Sequence, residues 1–534
     1  MNGKVEKLFQ YLIIVVVFFF TLRSASIVIS DAFSFDGGMN AQAAHNLIKD
    51  SSPRADYQGM SIFDPKIQTG IPVILPVAIN FLLFGESFSS GLTVNAVYLI
   101  ILVIAVIYYF KTCLKINNLF TFLVILVLYA TPSLFDYGFG LYGEIPAIFY
   151  FILSLIFLHK YRDGSRLIYI LLSGSFLGLG YLTKTVILIT IPAFVLVAIL
   201  DRLFNSPNRI KRLFQSQGLF MLGFIAPITI FEIFKLAFLG VESYGKWWNT
   251  MVTAVLMQAG VSEGFADTSG IATKFIAHLD LLSSYLITNK WIIVFSLGFL
   301  IISYMAILLR FVNAKKNQEP KGEFIEKSTS LDFIVLLTVT LCYFGWWLLI
   351  TPTQKAWHRR IINGTILLDI CVMVIFYFIY DYFFQKSERP NNQFRSYRLK
   401  PVSDILILLV SVISLVYIFG SDYNDIAFKD TKLKVSSVNA GEFVRNLPKD
   451  AIIFGVGWWQ APIISFTSGR DFFDVHQNQL IAQAVNNKER YLVIDSYSYV
   501  IDPGASETVL NKYKNQLTFS ESNIYIYKLI KWNP

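Results

Sequence analysis

Long apolar runs restrict the folds open to this sequence more than any other feature. A helix that spans a bilayer needs about 20 mostly apolar residues. Eleven runs meet or approach that length: residues 8–29, 92–110, 119–135, 145–158, 167–182, 186–200, 219–239, 291–311, 331–350, 361–384 and 402–419. The run Ile71–Phe84 contains two prolines and is too short to span, so we expect an interfacial or re-entrant helix there. We interpret the first run as a retained helix rather than a cleaved signal peptide.

The loops between these runs alternate in charge. Lysine and arginine cluster in every second loop, for example at Lys111 and Lys115, whereas residues 131–144 contain neither. Short cytoplasmic loops of membrane proteins carry such a positive excess. The alternation predicts a multi-pass protein of the cell membrane with a cytoplasmic N-terminus and an extracytoplasmic C-terminal segment.

The overall charge and the cysteines exclude several other classes of protein. Only 15% of the residues are charged, against about 25% in soluble domains. The net charge of +9 comes mainly from the basic loops, so it indicates membrane topology and not nucleic-acid binding. Cys113, Cys342 and Cys371 have no paired spacing, which argues against a disulfide framework or a zinc site.

The last hundred residues have a different pattern. Short β-rich runs at residues 451–456, 491–495 and 524–529 alternate with helical patterns at 438–446, 479–486 and 505–513. This alternation predicts a small, mainly parallel α/β domain. We therefore divide the chain into a transmembrane domain, residues 1–420, and an extracytoplasmic domain, residues 421–534. The pair Gly455 and Gly457 lacks the third glycine of a dinucleotide fingerprint and is weak evidence for nucleotide binding.

A carboxylate, Asp36, stands in the first outer loop (residues 30–91) just before a helical pattern. The exposed N–H groups of a helix N-terminus stabilise an ionised carboxylate, which suits a general base. The same position is typical of a residue that only caps the helix. Both interpretations are open from the residues alone.

A second carboxylate, Glu144, lies at the outer entrance of the fourth run. Two carboxylates on the outer side are what acid–base chemistry or a cation site requires. The alternative is a capping residue beside an interfacial belt formed by Tyr137, Phe139 and Tyr142.

Cations gather on the outer side, where positive charge is otherwise sparse: Lys66, Lys184, Lys355, His358, Arg359 and Arg360. Arginine and lysine bind phosphate groups, so a phosphate or pyrophosphate ligand would explain the group. The alternatives are contact with lipid headgroups or structural pairing with Asp36 or Glu144. Lys184, in a tight hairpin, could also simply extend to the interface.

Glu232 and Lys235 lie three residues apart inside the seventh run. Ionisable residues at membrane depth are functional candidates. A salt bridge within one helix is the simpler interpretation, and we favour it.

The order of these motifs resembles that of a known family. The features are Asp36-Gly37, the Ala-rich residues 41–48, Gln68-Thr-Gly70-Ile-Pro72, residues 81–86, Gly143-Glu144-Ile-Pro-Ala147 and residues 174–184. Together they resemble the GT-C fold glycosyltransferases that use polyprenyl-phosphate sugars. Protein O-mannosyltransferases and the lipid A aminoarabinose transferase belong to this group. The resemblance covers about the first 200 residues, and the later helices match by topology only.

The resemblance implies a polytopic α-helical membrane protein of GT-C type, with about 11 transmembrane helices and an extracytoplasmic α/β domain. It implies an inverting transferase that moves a hexose or pentose from a polyprenyl-phosphate donor to a hydroxyl of a lipid, glycan or protein acceptor. Asp36 would be the base and Glu144 the second acidic residue. Lys66 would lie near the donor phosphate, but the aminoarabinose transferases have their lysine directly before a Pro-Pro pair. Lys66 precedes Pro72 by several residues, so residues 355–360 are the alternative.

The resemblance gives no indication of a cofactor, because no Asp-x-Asp occurs at residues 34–38. A divalent metal stays open as an alternative, although no motif indicates one. Two other classes of function are open: a transporter or flippase of a lipid-linked or anionic substrate, and a non-catalytic assembly protein. A transporter would be expected to show inverted repeats, and none is evident here.

Overall fold

The computed structural model of the protein describes residues 3–30, 33–56, 62–64, 67, 69–131, 134–135, 138–164, 166–204, 210–258, 269–285, 290–316, 327–353, 358–385, 432–455, 461–475, 488–495 and 503–532. The chain splits into two compact units. The first unit comprises Met1–Ser24, Val97–Gly138 and Glu144–Ala427, and the second comprises Ala25–Ala96, Phe139–Gly143 and Phe428–Pro534. The predicted domain boundary after residue 420 lies outside the described residues and stays a prediction.

The apolar runs form helices, and the chain is a multi-pass membrane protein. Within the described ranges, seven helices are long and apolar enough to cross a bilayer: Glu6–Ile29, Phe88–Cys113, Glu144–Gly164, Gln215–Leu256, Lys290–Ile307, Leu331–Ile350 and Ile362–Asp381. Three more predicted spans correspond to the shorter apolar helices Asn118–Ala130, Leu167–Thr183 and Thr185–Leu200. The eleventh, residues 402–419, lies outside the described residues.

The helices up to residue 385 have these bounds in chain order: α1 Gly3–Ser30, α2 Phe35–Asp50, α3 Ile71–Phe84, α4 Phe88–Tyr108, α5 Asn118–Ala130, α6 Glu144–Gly164, α7 Leu167–Thr183, α8 Ile191–Phe204, α9 Ile210–Gln258, α10 Ile271–Tyr285, α11 Lys290–Lys316, α12 Lys327–Gly345 and α13 Ile362–Gln385. Single π-helical turns extend α4 through Tyr109–Cys113 and α12 through Trp346–Ile350. A 3₁₀ helix, Thr185–Thr190, leads into α8. The short run Ile71–Phe84 is helical as expected, with Pro72 in its first turn, where proline is tolerated.

The seventh run differs from its prediction. The helix does not end at residue 239 but continues as α9 to Gln258, through a kink at Gly240, where φ is 73°. Glycine adopts this left-handed conformation without the steric cost that a Cβ would bring. Helix α10, which no apolar run predicted, follows α9. Residues 240–258 contain no apolar run of membrane length, so span length alone does not predict that the helix continues.

Glycines allow α7 and α9 to pack closely within the first unit. A Cβ on Gly174 would lie 2.1 Å from the carbonyl oxygen of Phe220, and one on Gly223 would lie 2.2 Å from that of Leu171. Membrane helices gain dispersion energy from such backbone contact because lipid offers no hydrophobic driving force between them. Larger residues at either position would force the two helices apart.

A five-stranded sheet forms the centre of the C-terminal region. Its elements are α14 Lys432–Arg445, β1 Ile452–Gly455, α15 Ala461–Ser468, β2 Phe472–Asp474, β3 Arg490–Asp495, α16 Pro503–Lys512, β4 Tyr513–Glu521 and β5 Ile524–Trp532. The strand order is β2-β1-β3-β5-β4. The pairs β1–β2 and β1–β3 are parallel, but β3–β5 and β4–β5 are antiparallel. The domain is α/β as predicted, but only half of its pairings are parallel.

The difference arises because the chain ends in a hairpin. Strands β4 and β5 are joined by a two-residue turn at Ser522 and Asn523, and such a short connection permits only antiparallel pairing. The polar strand β4 and the three-residue strand β2 were both missed in the sequence, because neither has a recognisable apolar run. The predicted helix at residues 479–486 lies outside the described part of the chain.

The first outer loop is part of the same hydrophobic core as the sheet, within the second unit. Phe35 and Met39 of α2 are buried in one cluster with Ile453 of β1 and Ile464 of α15. Phe33 packs against Phe88 and Phe466 at ring distances of 4.9 and 5.1 Å. Helix α2 is therefore attached to the C-terminal domain by burial of large apolar side chains.

Candidate active site

Asp36 lies in the first turn of α2, but it is not the helix cap. Ser34 is the N-cap: its backbone is extended, and its Oγ accepts a hydrogen bond of 3.3 Å from the Gly37 N–H. The interpretation of Asp36 as the cap is therefore wrong. Asp36 lies in the first turn of α2, next to the positive end of the helix dipole.

A short segment, Phe139–Gly143, packs directly beside the start of α2. A Cβ on Gly37 would lie 2.3 Å from the carbonyl oxygen of Gly140, so only glycine fits there. Asn40 donates a hydrogen bond of 2.7 Å from Nδ2 to the Leu141 carbonyl. The backbone that directly follows Asp36 is thus held in a fixed place, as a catalytic group requires.

The aromatic belt predicted for this segment does not form at two of its three residues. Phe139 is 2% exposed and Tyr142 is 8% exposed, so both side chains are buried in the protein. Tyr137 lies outside the described residues.

Glu144 is the first residue of α6, in the first unit, and it is 4% exposed. Its Oε1 lies 3.1 Å from Nζ of Lys184 and 3.6 Å from Nε of Arg359. Lys184 is 8% exposed, so it does not extend to the interface as one interpretation held. Structural pairing with Glu144, which we had set against phosphate binding, is present for both cations.

Arg360 adds further positive charge to this group. Burial, together with repulsion from Arg359, lowers the pKa of the Arg360 guanidinium to about 10, and Glu144 opposes the shift. The group is still charged at neutral pH. Three cations thus lie near one carboxylate, and an additional anion would lower the electrostatic energy of the cluster.

The Glu144–Lys184 pair leaves hydrogen-bonding capacity unused. Within the described ranges, neither Oε2 of Glu144 nor Nζ of Lys184 makes a hydrogen bond, although both atoms are buried. Buried polar atoms of this kind need an explanation, since leaving each one unsatisfied costs about 1–3 kcal/mol. A bound ligand or water would satisfy them.

Two residues that the sequence did not single out belong to the same region of the first unit. Tyr343 is within electrostatic range of Glu144. Tyr343 and Asn363 are each 1% exposed, and the Tyr343 hydroxyl lies within interaction range of the Asn363 amide. A tyrosine and an asparagine inside apolar runs were the available signal, but both residue types are common in membrane helices.

Three predicted phosphate-binding residues cannot be placed. Lys66, Lys355 and the side chain of His358 lie outside the described part of the structure, although the His358 backbone belongs to a short 3₁₀ helix, His358–Arg360. Of the six predicted cations, the structure brings together Lys184, Arg359 and Arg360. Asp36 belongs to the second unit and these three to the first.

The charged pair in the seventh run is a salt bridge, as we favoured. Nζ of Lys235 lies 2.7 Å from Oε1 of Glu232, and the Tyr244 hydroxyl donates to Oε2 at 3.0 Å. The ammonium also sits 3.7 Å from the ring centroid of Trp247, a cation–π contact. These contacts join the two halves of α9 on either side of Gly240.

No group of three His, Cys, Asp or Glu side chains that could hold a metal ion occurs among the described residues. No protein-family model and no curated protein sequence matches the chain.

Solved structures with the same fold do exist. ArnT from Cupriavidus metallidurans, bound to undecaprenyl phosphate, aligns over 99% of this chain and 98% of its own, with a TM-score of 0.57 and 11% identity. The Archaeoglobus fulgidus oligosaccharyltransferase AglB, in complex with an inhibitory peptide and a dolichol-phosphate, aligns over 96% and 74%, with a TM-score of 0.52 and 12% identity.

The arabinofuranosyltransferase AftD from Mycobacteria aligns over 97% of this chain and 40% of its own, with a TM-score of 0.50 and 11% identity. These neighbours are GT-C glycosyltransferases. At such low identity the likeness is one of fold, and this chain has the GT-C fold along nearly its whole length.

Proposed function

We propose that this protein is an integral-membrane glycosyltransferase that moves a sugar from a polyprenyl-phosphate donor to an acceptor hydroxyl on the outer face of the membrane. The observation that carries the proposal is the likeness in fold, over 99% of the chain, to a transferase with bound undecaprenyl phosphate. The proposal includes the orientation derived from loop charge, with the N-terminus in the cytoplasm and the C-terminal domain outside.

In the proposed reaction, Asp36 removes the proton from the acceptor hydroxyl as its oxygen bonds to the anomeric carbon. The bond from that carbon to the donor phosphate breaks, and polyprenyl phosphate leaves. A single displacement of this kind inverts the anomeric configuration. The place of Asp36 in the first turn of α2, beside the close contact of Gly37 with Gly140, supports the base role because a base must be held in a fixed position.

The departing phosphate would be stabilised by Lys184, Arg359 and Arg360. Fixed cations in a site from which water is excluded stabilise developing negative charge without having to reorganise. The excess of positive charge near Glu144 supports this assignment. Glu144 would hold the cations in place as well as act as the second acidic residue. Lys66, Lys355 and His358 stay in the proposal as further phosphate ligands.

A turnover assay tests the proposal. Purified protein in nanodiscs receives mannose, glucose, arabinose or aminoarabinose linked to undecaprenyl or dolichyl phosphate, with a membrane extract as acceptor. We expect acceptor-dependent release of free polyprenyl phosphate from at least one donor. If no donor is turned over, the function is contradicted. Movement of an intact donor across the bilayer would instead support the flippase alternative.

The residue that decides the mechanism is Asp36. Asp36→Asn should lower kcat by about 10²–10⁴, the contribution expected of general base catalysis, while the protein still folds. Asp50→Asn, at the exposed end of the same helix, is the matched control and should keep normal turnover. Near-normal kcat in Asp36→Asn would rule out the base role. The proposal includes no cofactor, and treatment with EDTA should leave turnover unchanged.

A further inference from the structure

Gln42, in the middle of α2, makes hydrogen bonds to two other segments of the second unit. It is 2% exposed and uses both ends of its amide within the second unit. Its Nε2 donates to the Pro462 carbonyl of α15 at 3.0 Å, and its Oε1 accepts from the Asp56 N–H at 3.0 Å. A single side chain on α2 thereby binds to the C-terminal domain, 420 residues away in sequence, and to the first outer loop.

The backbone of α2 also approaches α15 one helical turn earlier. A Cβ on Gly38 would lie 2.9 Å from Cβ of Pro462 and 3.1 Å from its carbonyl carbon. Positions four residues apart lie on one face of a helix, so Gly38 and Gln42 meet the same residue of α15. The contact leaves no room for α2 to move toward α15, and the hydrogen bond opposes movement away.

Asp36 therefore lies in a helical turn that is restrained from two directions. Gly37 packs on Gly140 of the segment Phe139–Gly143, and Gly38 packs on α15. The apolar neighbours Phe35 and Met39 complete the attachment to the core of the C-terminal domain. Each of these contacts fixes the backbone that carries the Asp36 carboxylate.

We infer that the C-terminal domain positions Asp36 for proton abstraction by holding α2 through Gln42 and Gly38. Gln42 is then a positioning residue, which acts through Asp36 without touching the substrate. The inference rests on the proposed function of Asp36 as the base. Its physical reason is that a shift of about 1 Å in a reacting group can lower a rate about 100-fold.

The test replaces Gln42 with leucine, which has nearly the same volume but no hydrogen-bonding group. We expect kcat per folded molecule to fall about 10- to 100-fold, with KM for the donor unchanged, because donor binding does not depend on the base. Gly38→Ala should have the same effect, since its Cβ would push α2 away from Pro462. This second variant keeps the test valid if Gln42→Leu does not fold.

Asn46→Leu is the matched control. Asn46 lies on the same helix, is also 2% exposed, and also bonds through its amide, to the Arg54 carbonyl and to Oδ1 of Asp56. Both partners belong to the first outer loop, not to the C-terminal domain. We expect a similar loss of Tm but nearly unchanged kcat per folded molecule.

Hydrogen exchange of the full-length protein in nanodiscs gives a measurement that needs no substrate. Gln42→Leu should speed exchange in the first turns of α2, whereas Asn46→Leu should act near Asp50. Faster exchange with unchanged kcat overturns the positioning role and leaves the proposed transferase intact. If the unaltered protein turns over no donor, both the positioning role and the proposed transferase function are overturned. The inactivity of the unaltered protein distinguishes this outcome from the previous one.

Discussion

Two buried carboxylates of the first unit have the same kind of partners but differ in how completely they are paired. Asp332, in α12, meets His159 and Arg162 near the end of α6, with each carboxylate oxygen 2.5 Å from a nitrogen. Glu144, at the other end of α6, uses only Oε1, at 3.1 and 3.6 Å from its cations. Two nitrogens of Arg162 make no hydrogen bond among the described residues, but both oxygens of Asp332 are engaged.

The distances and the number of paired carboxylate oxygens distinguish a structural charge cluster from a candidate binding site. A buried ion pair stabilises a fold only when its geometry is good and its remaining polar atoms are satisfied. Both oxygens of the Asp332 carboxylate are paired at 2.5 Å, although Arg162 keeps two unused nitrogens. The Glu144 carboxylate has longer distances to its cations and one oxygen without a hydrogen bond among the described residues. We therefore propose that the Asp332 cluster serves stability and that the Glu144 cluster binds an anion.

The largest change that we expect is a loss of stability when the Asp332 carboxylate loses its charge. Asp332→Asn removes the charge opposite Arg162, so the free energy of unfolding should fall by about 3–5 kcal/mol, as it does when one partner of a buried pair is removed. Thermal and denaturant unfolding in detergent micelles would measure it. Affinity for undecaprenyl phosphate, per folded molecule, should stay the same.

Asp369→Asn is the control for that prediction. The half-buried Asp369 carboxylate accepts a hydrogen bond of 2.8 Å from the neutral Thr131 hydroxyl, which an asparagine oxygen can also accept. We expect a much smaller loss of stability. Equal losses in the two variants would contradict a special structural role for the Asp332 ion pairs.

The next effect concerns ligand binding at the Glu144 cluster. Lys184→Met should weaken binding of undecaprenyl phosphate by about 1.5–3 kcal/mol, or roughly 10- to 100-fold, the range for a hydrogen bond to a charged group. Binding of the labelled lipid to folded protein would measure it. A large loss of stability with unchanged affinity would make this a second structural cluster.

Lys246→Met provides the matched control for Lys184→Met. Lys246 pairs with Glu242 at 2.7 Å, but the two side chains are 74% and 84% exposed. Exposed pairs of this kind contribute about 0–1 kcal/mol because water screens them. Both stability and affinity should therefore remain close to those of the unaltered protein.

The smallest change that we expect concerns Asp56, a carboxylate of the second unit whose cation lies farther away than those of Asp332 and Glu144. Burial raises the pKa of Asp56, with repulsion from Asp471 adding to the effect and the hydrogen bond from Asn46 opposing it. The nearest guanidinium atom of Arg54 is 3.9 Å away. A raised folded-state pKa means that stability falls as pH rises through it, because the unfolded chain ionises more readily.

Asp56→Asn should remove that cost while keeping the bond from Asn46. We expect a higher Tm than that of the unaltered protein at neutral pH, and a difference that vanishes below the ordinary aspartate pKa of about 3.9. Thermal unfolding across a pH series measures it. A lower Tm at neutral pH would show that the ionised carboxylate is net favourable through Arg54.

Much of the helical architecture follows from local composition. Apolar runs of membrane length have few alternatives to a helix, because every backbone group must be hydrogen-bonded inside lipid. The prediction of α3 matches its bounds, Ile71–Phe84, because glycines flank the run. The continuation of α9 past Gly240 was missed because it depends on contacts such as Lys235 with Trp247, which join residues on both sides of the kink.

The candidate site was predicted in part. Asp36 and Glu144 were found because carboxylates beside apolar runs are costly to keep there without a reason. That Ser34 and not Asp36 caps α2 depends on one hydrogen bond, which composition does not reveal. The roles of Gln42 and Asp332 were missed for a similar reason, since their partners are distant in the sequence.

The sequence by itself determined a multi-pass membrane protein, the kind and order of most helices, and the position of its acidic motifs. Periodicity, length and charge are local properties, and lipid limits the structures that they can form. Only the tertiary structure decided which charges meet, which carboxylate is fully paired and that α2 belongs to the core of the C-terminal domain. Those outcomes depend on distances of a few ångströms between residues far apart in the chain, where packing and burial decide the energy.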